Sequence, residues 1–201
     1  MQKVVVILGM HRTGTSAVAG ALAQMGIEFG EDFIPPNRHN PKGYFEHSEV
    51  VTLHDSLLQA FGSRWDDYLA LPPGWAENKI TRKIRSSLTA ILKRDFGEAS
   101  LFGLKDPRLC RLMPLWFPIF ESLAALPHFV LTLRHRWEVA ESLARRNGLK
   151  RPKSFLLWLD HTLLAERATR GYKQAFVASD EVLDNPTAVM TRLQRDLALH
   201  L

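Results

Sequence analysis

The sequence predicts an α/β fold with three layers, α/β/α, around a central, mostly parallel sheet. Short apolar runs lacking polar alternation occur at Lys3–Leu8, Leu101–Leu104, His128–Leu133 and Gln174–Ala178, the pattern of strands covered on both faces. Amphipathic patterns of helical period separate them, and strands alternating with helices pair in parallel. The chain has 201 residues, 46% of them hydrophobic, enough for one domain over 1–201 that buries roughly 70% of its unfolded surface. No repeat, low-complexity tract or linker interrupts it.

Each element follows from its local sequence. After the first strand, TSAVAGALAQMG at 15–26 reads as an Ala-rich helix closed by Gly26. The prolines and glycine of EDFIPPNRHNPKGYFE forbid regular structure over most of that stretch, and loops of this length in compact domains tend to carry function. A helix follows in EHSEVVTLHDSLLQAF. In KITRKIRSSLTAILKR, Ile80, Ile84, Leu88, Ile91 and Leu92 form one apolar face opposite a basic one. Helical patterns at Met113–Ala125 and Trp137–Arg146 flank the third strand, with Trp116, Phe117, Phe120 and Trp158 spaced as core residues. Phe155–Ala168 is a further helix. In the last one, Asn185 is a good N-cap and Pro186 sits at the first helical position.

Lys and Arg outnumber Asp and Glu by 26 to 21, a formal net charge of +5, which favours anionic ligands without naming one. The single cysteine, Cys110, excludes an internal disulfide or a Cys-rich zinc site and reads as a buried thiol in a reducing compartment. No charged-then-apolar signal precedes the first strand, and no apolar run approaches the ~20 residues of a membrane span. The expectation is a cytoplasmic chain. The basic face of 79–94 lacks any base-stacking motif and reads as a solvated helix surface rather than a nucleic-acid interface.

The first strand runs into GMHRTGTS at 9–16. Gly9, Gly14 and Ser16 have the phosphate-loop spacing G-x-x-x-x-G-K-[ST], with Thr15 in the lysine's place. Strand, glycine turn and helix start aim backbone N–H groups and the positive end of the helix dipole at one spot. Arg12 supplies a cation from inside the loop, and its fork suits a group with several equivalent oxygens. A nucleoside-triphosphatase would also want an acidic strand-end residue for magnesium. The downstream strand ends carry Lys105 and Arg134 instead, with Asp106 the nearest acid. The fold class is therefore P-loop NTPase-like with a changed ligand, and a P-loop kinase or hydrolase with an atypical loop is the alternative.

Arg134 ends the third strand and Ser142 lies eight residues on, two helical turns into the next helix. Ligands of open α/β sheets gather at such strand ends. With GMHRTGTS, NPKGYFE at 40–46, GLKDPRLC at 103–110 and LRHRWEVAESL at 133–143, the chain resembles the sulfotransferases that use 3′-phosphoadenosine 5′-phosphosulfate, PAPS, especially their bacterial members. The resemblance implies that Arg12, Thr13, Gly14, Thr15 and Ser16 hold the 5′-phosphosulfate and that Arg134 and Ser142 hold the 3′-phosphate. It implies PAPS as donor, no metal, and a carbohydrate or small-metabolite hydroxyl as acceptor. Three departures stand out. Arg12 replaces the usual lysine of cytosolic members. Ser179 in VASDEVL stands where many carry a tyrosine near the adenine. The glycine-rich basic C-terminal segment is not among these residues, which either leaves Arg145, Arg146 or Lys150 to close the pocket or makes the chain part of a longer protein.

Sulfuryl transfer requires alignment, neutralisation of diffuse charge and a base for the acceptor proton. Arg12 and Lys105 are the candidates for the charge. Glu46 is the candidate base, by analogy with glutamates of carbohydrate sulfotransferases, and its other reading is a first-turn acid of the following helix. Asp106 and His39 are the reserves. Asp106 and Arg108 alternatively make only a turn and a pair, while His54 and Asp55 read as satisfied or surface groups. Trp65 and Trp75, bracketing WDDYLALPPGW, either stack on an acceptor or pack as a lid or core.

Overall fold

The computed structural model describes residues 2–199. Its strands are β1 (Gln2–Leu8), β2 (Leu101–Lys105), β3 (Ala125–Leu133) and β4 (Gln174–Ala178), and its helices are α1 (Thr15–Gln24), α2 (Ser48–Ala60), α3 (Lys79–Phe96), α4 (Leu109–Ser122), α5 (Arg136–Asn147), α6 (Arg151–Thr169), α7 (Ser179–Asp184) and α8 (Pro186–Asp196). The strands form one sheet in the order β2-β1-β3-β4, every neighbouring pair parallel.

Alternation along β1 divides the core in two. Val4, Val6 and Leu8 join Leu57 of α2, Leu88 of α3 and Trp116 of α4 on one face. Val5 and Ile7 join Val18 and Leu22 of α1 and Leu193 of α8 on the other. All five β1 side chains are fully buried, each worth about 1.5–3 kcal/mol relative to exposure. A strand buried on both faces is what an unalternated apolar run encodes. This is the three-layer α/β/α arrangement.

The cap expected at Asn185 forms, accepting a hydrogen bond from the Ala188 N–H at the start of α8; Asn78, not singled out from sequence, caps α3 in the same way by accepting from the Ile80 N–H. Four features differ from expectation, the simplest being that α6 begins at Arg151 rather than Phe155. The third strand begins at Ala125 and runs through Pro127, which faces Val4 of β1. Phe129, two residues on, donates its N–H to Lys173 on the β4 side. Pro127 turns its missing N–H the same way, where β4 has not yet begun, so no ladder bond is lost. Helix α4 starts at Leu109 and passes through Pro114 and Pro118, because its Leu, Trp and Phe side chains fill the core. The short α7, at VASDEVL, was not expected as a helix; its glutamate at the third position caps the Ala178 N–H.

Candidate active site

Because the strands are parallel, their C-terminal ends share one edge. The chain leaves β1 for β2 on one side and returns to β3 on the other, so the loop after β1 sits between Lys105 and Arg134 at a topological switch point. The loop is closed by steric necessity at Gly9. A Cβ there would lie 2.1 Å from Thr132 Oγ1 and 2.6 Å from Thr13 Oγ1. Those hydroxyls lie 2.8 Å apart, Thr13 donates to the Met10 carbonyl, and Thr132 donates to that of Leu8. The Gly9 N–H meets Cys110 Sγ at 3.1 Å, and burial pushes that thiol up to about 12.

Gly14, at φ 93°, caps α1, a conformation glycine takes without strain. Arg12 takes φ 74°, where a Cβ costs about 1 kcal/mol. What holds it is a set of hydrogen bonds. Arg12 Nε donates to Ser142 Oγ at 2.7 Å and Nη1 to the His39 carbonyl at 3.1 Å, while Arg134 Nη1 donates to the Arg12 carbonyl at 3.3 Å. Arg134 also pairs with Glu138.

On the β2 side, Lys105 Nζ donates to Glu46 Oε1 at 2.5 Å and to Ser16 Oγ at 3.1 Å. The Lys105 and Glu46 side chains are 2% and 5% exposed. Burial raises the Glu46 carboxyl above its ordinary range, against the opposing pull of Lys105. Asn40 donates to Ser16 and Ser16 to the Tyr44 carbonyl, which ties the irregular segment 27–47 to the start of α1.

These groups enclose a cavity of about 190 Å3, whose lining includes Arg12, Gly14, Ser16, Glu46, Lys105 and Arg134. Ser16, Ala17 and Asn40 also line a larger cavity of about 630 Å3 that runs along α1 to Phe45, Leu183 and Pro186. Of the residues singled out from sequence, Arg12, Gly14, Thr15, Ser16, Glu46, Lys105 and Arg134 thus meet at one place. Thr13 turns its hydroxyl inward and does not line the cavity, and Ser142 lies behind Arg12.

The reserve base Asp106 is fully engaged elsewhere. Its Oδ2 pairs with His54 Nδ1 at 2.7 Å and its Oδ1 accepts from the Arg108 N–H and Nη1. His54 Nε2 accepts the Trp116 indole N–H, which fixes the proton on Nδ1. Burial pushes Asp106 up, but Arg108 and His54 outweigh it and hold the carboxyl well below the usual range. Arg108 also forks onto Asp55. His39 stays at the cavity rim.

Further lining residues are His11, Asn40, Tyr44 and Arg146. His11 packs edge-on to Trp65 at 4.6 Å, and the Arg146 guanidinium lies 5.5 Å from the Trp65 ring centre. Burial first, then Arg108 and Arg146, push His11 well below the ordinary histidine range. Its place between Gly9 and Arg12 was the available signal. Trp75 packs against the core on the α2–α3 side, as do Trp116 and Phe120. Phe117 is only partly buried there, and Trp158 spends its indole N–H on the Arg134 carbonyl.

Among the described residues no helix is long and apolar enough to cross a membrane. No protein-family model and no curated protein matches the sequence. Among solved structures, a sulfotransferase domain from the curacin biosynthetic pathway matches with a TM-score of 0.53 and 14% identity, over 100% of this chain and 75% of that one. At that identity the likeness shows a shared fold, a parallel sheet with helices on both faces.

Proposed function

We propose that the chain is a PAPS-dependent sulfotransferase, moving a sulfuryl group to a hydroxyl of a carbohydrate or small metabolite. The observation that carries this reading is the convergence of Arg12, Lys105, Arg134 and Arg146 on one cavity, with Glu46 as its single lining carboxylate among the described residues. That balance complements a ligand bearing two separate anionic groups. The adjoining cavity along α1 supplies the length a nucleoside needs, with Phe45 and Leu183 as apolar surfaces for a purine.

In this reading the α1 N-terminus, the Ser16 hydroxyl and Arg12 hold the 5′ end, and Arg134 holds the 3′-phosphate. Ser142 acts through Arg12 by fixing its guanidinium. The acceptor oxygen bonds to sulfur as the bond from sulfur to the bridging oxygen breaks, and that electron pair leaves with the nucleotide. Lys105 and Arg12 stabilise the charge gathering there. Glu46 takes the acceptor proton, and its raised carboxyl makes it a stronger base than an exposed glutamate.

Calorimetry with adenosine 3′,5′-bisphosphate and with ADP plus magnesium tests the proposal. Expected is selective binding of the bisphosphate, weakened about tenfold to hundredfold by Arg134→Ala, as for loss of a charged hydrogen bond. Tighter binding of ADP with magnesium, or an unchanged bisphosphate affinity in Arg134→Ala, refutes it.

A further inference from the structure

Helix α6 packs against α4 and α5 with polar residues turned inward. Ser154, His161 and Thr169 are at most 1% exposed, whereas Leu156, Leu159 and Leu163 are 45, 45 and 56% exposed. At 3.6 residues per turn the three leucines fall on one stripe, opposite the buried face. The inward polar groups are met by their own helix. Ser154 donates to the Lys150 carbonyl, His161 Nδ1 to that of Leu157 and Thr169 to that of Ala165. The arrangement is the reverse of a helix whose outer face meets water. Single exposed leucines are ordinary, but a stripe of them marks a surface that meets another apolar phase. Trp137 of α5, itself 40% exposed, stands edge-on to Phe155 of α6 at 4.9 Å and widens the apolar area.

Charge indicates what covers the stripe. All four carboxylates of α5 and α6 have a cation within 3.9 Å: Glu138 faces Arg134, Glu141 faces Arg145, Asp160 faces Arg111 and Glu166 faces Arg170. The exposed Arg136, Lys150, Arg151 and Arg167 have no carboxylate at ion-pair distance among the described residues. Arg151 instead lies over the Trp137 ring, 4.7 Å from its centre, and Arg167 continues the leucine stripe one turn beyond Leu163. A two-fold axis through the stripe would set Lys150 and Arg151 of one copy beside Arg167 of another, cation against cation. An apolar phase with an anionic rim neutralises them.

We propose that this face docks on an anionic lipid bilayer, the leucines and Trp137 entering the headgroup boundary and the unpaired cations resting on lipid anions. Leucine and tryptophan between basic residues is the composition of a helix that lies on a membrane surface rather than crossing it. The surface is independent of the sulfotransferase reading.

The test is cosedimentation of the full chain with vesicles of phosphatidylcholine alone or with about one-third phosphatidylserine. Binding is expected to be at least about tenfold tighter to the anionic vesicles and to weaken with added salt. Leu159→Gln/Leu163→Gln changes two exposed side chains without opening the core and should lower that binding at least about tenfold. Lys150→Gln/Arg167→Gln leaves the leucines in place and should lower it about tenfold. No binding to anionic vesicles, equal binding to both compositions, or full affinity in either variant overturns the proposal. So does a concentration-dependent dimer, seen by analytical ultracentrifugation without vesicles, that Leu159→Gln/Leu163→Gln abolishes, because the stripe then belongs to a second copy.

Discussion

Replacing Lys105 by methionine keeps the aliphatic stem and removes the charge that faces Glu46. At 2.5 Å and an effective dielectric of about 20, the pair attracts by about 7 kcal/mol, most of it offset by taking both ions out of water. What Lys105→Met exposes is a buried carboxylate that has lost its hydrogen-bonded counter-ion and keeps only Arg108, 3.9 Å away, a cost of up to about 3–5 kcal/mol. Glu46 can escape that cost by taking a proton, so the penalty depends on pH. Its folded carboxyl is already raised by burial, and loss of Lys105 raises it further. A carboxyl raised in the folded state binds its proton more tightly there than in the unfolded chain. The variant's stability is therefore greatest at acid pH and falls as pH rises through the folded value. Urea unfolding of wild type and variant from pH 4.5 to 8 should show the gap widening with pH. Lys105→Met/Glu46→Gln should lose much less than the sum of the single changes. A gap independent of pH, or additive single losses, refutes the reasoning.

Two further outcomes separate the roles of neighbouring residues. Arg12→Gly removes the Cβ from a left-handed backbone position and a guanidinium held by Ser142. Thermal denaturation should show little loss of stability, because relief of about 1 kcal/mol offsets the missing bonds, while bisphosphate affinity measured by calorimetry falls at least about tenfold. Asp106→Asn breaks the buried His54–Asp106–Arg108 set and should cost about 3–5 kcal/mol in urea unfolding. Its acid limb in a pH–rate profile should stay with Glu46 and move to lower pH, because the Asp106 charge is one of the causes that raise the Glu46 carboxyl.

Local sequence carried the fold far. The β1 run, the alternation of strands and helices that follows it and the Asn185 cap are all properties of short windows, and the structure realises each one. Strand-end chemistry was legible as well, because Lys105 and Arg134 directly follow apolar runs and a parallel sheet collects its strand ends at one edge. What could not be read were pairings across distance. Ser142 lies 130 residues from Arg12, and their contact depends on how α5 leaves β3. Asp106 looked like an available acid beside Lys105, yet His54, 52 residues away, comes from the buried side of α2 to engage it. Helix α7 escapes a periodicity argument because six residues carry too little of it, and α4 begins at Leu109, four residues before Met113, because Leu109, Cys110 and Leu112 are buried in the core.

The hydroxyl clasp at Gly9 has a thermodynamic consequence. Thr132, packed against Thr13, joins the end of β3 to the end of β1 by donating to the Leu8 carbonyl, and the Arg134 bond to the Arg12 carbonyl extends the join outward. Two like charges that would repel in a flexible chain are brought together during folding, supported by the whole sheet. A ligand with anions at the matching separation meets them already ordered and forgoes little additional entropy on binding. One whose anions are spaced differently could not recover that advantage by moving the arginines, so under the proposed function the loop would discriminate by length as well as by charge.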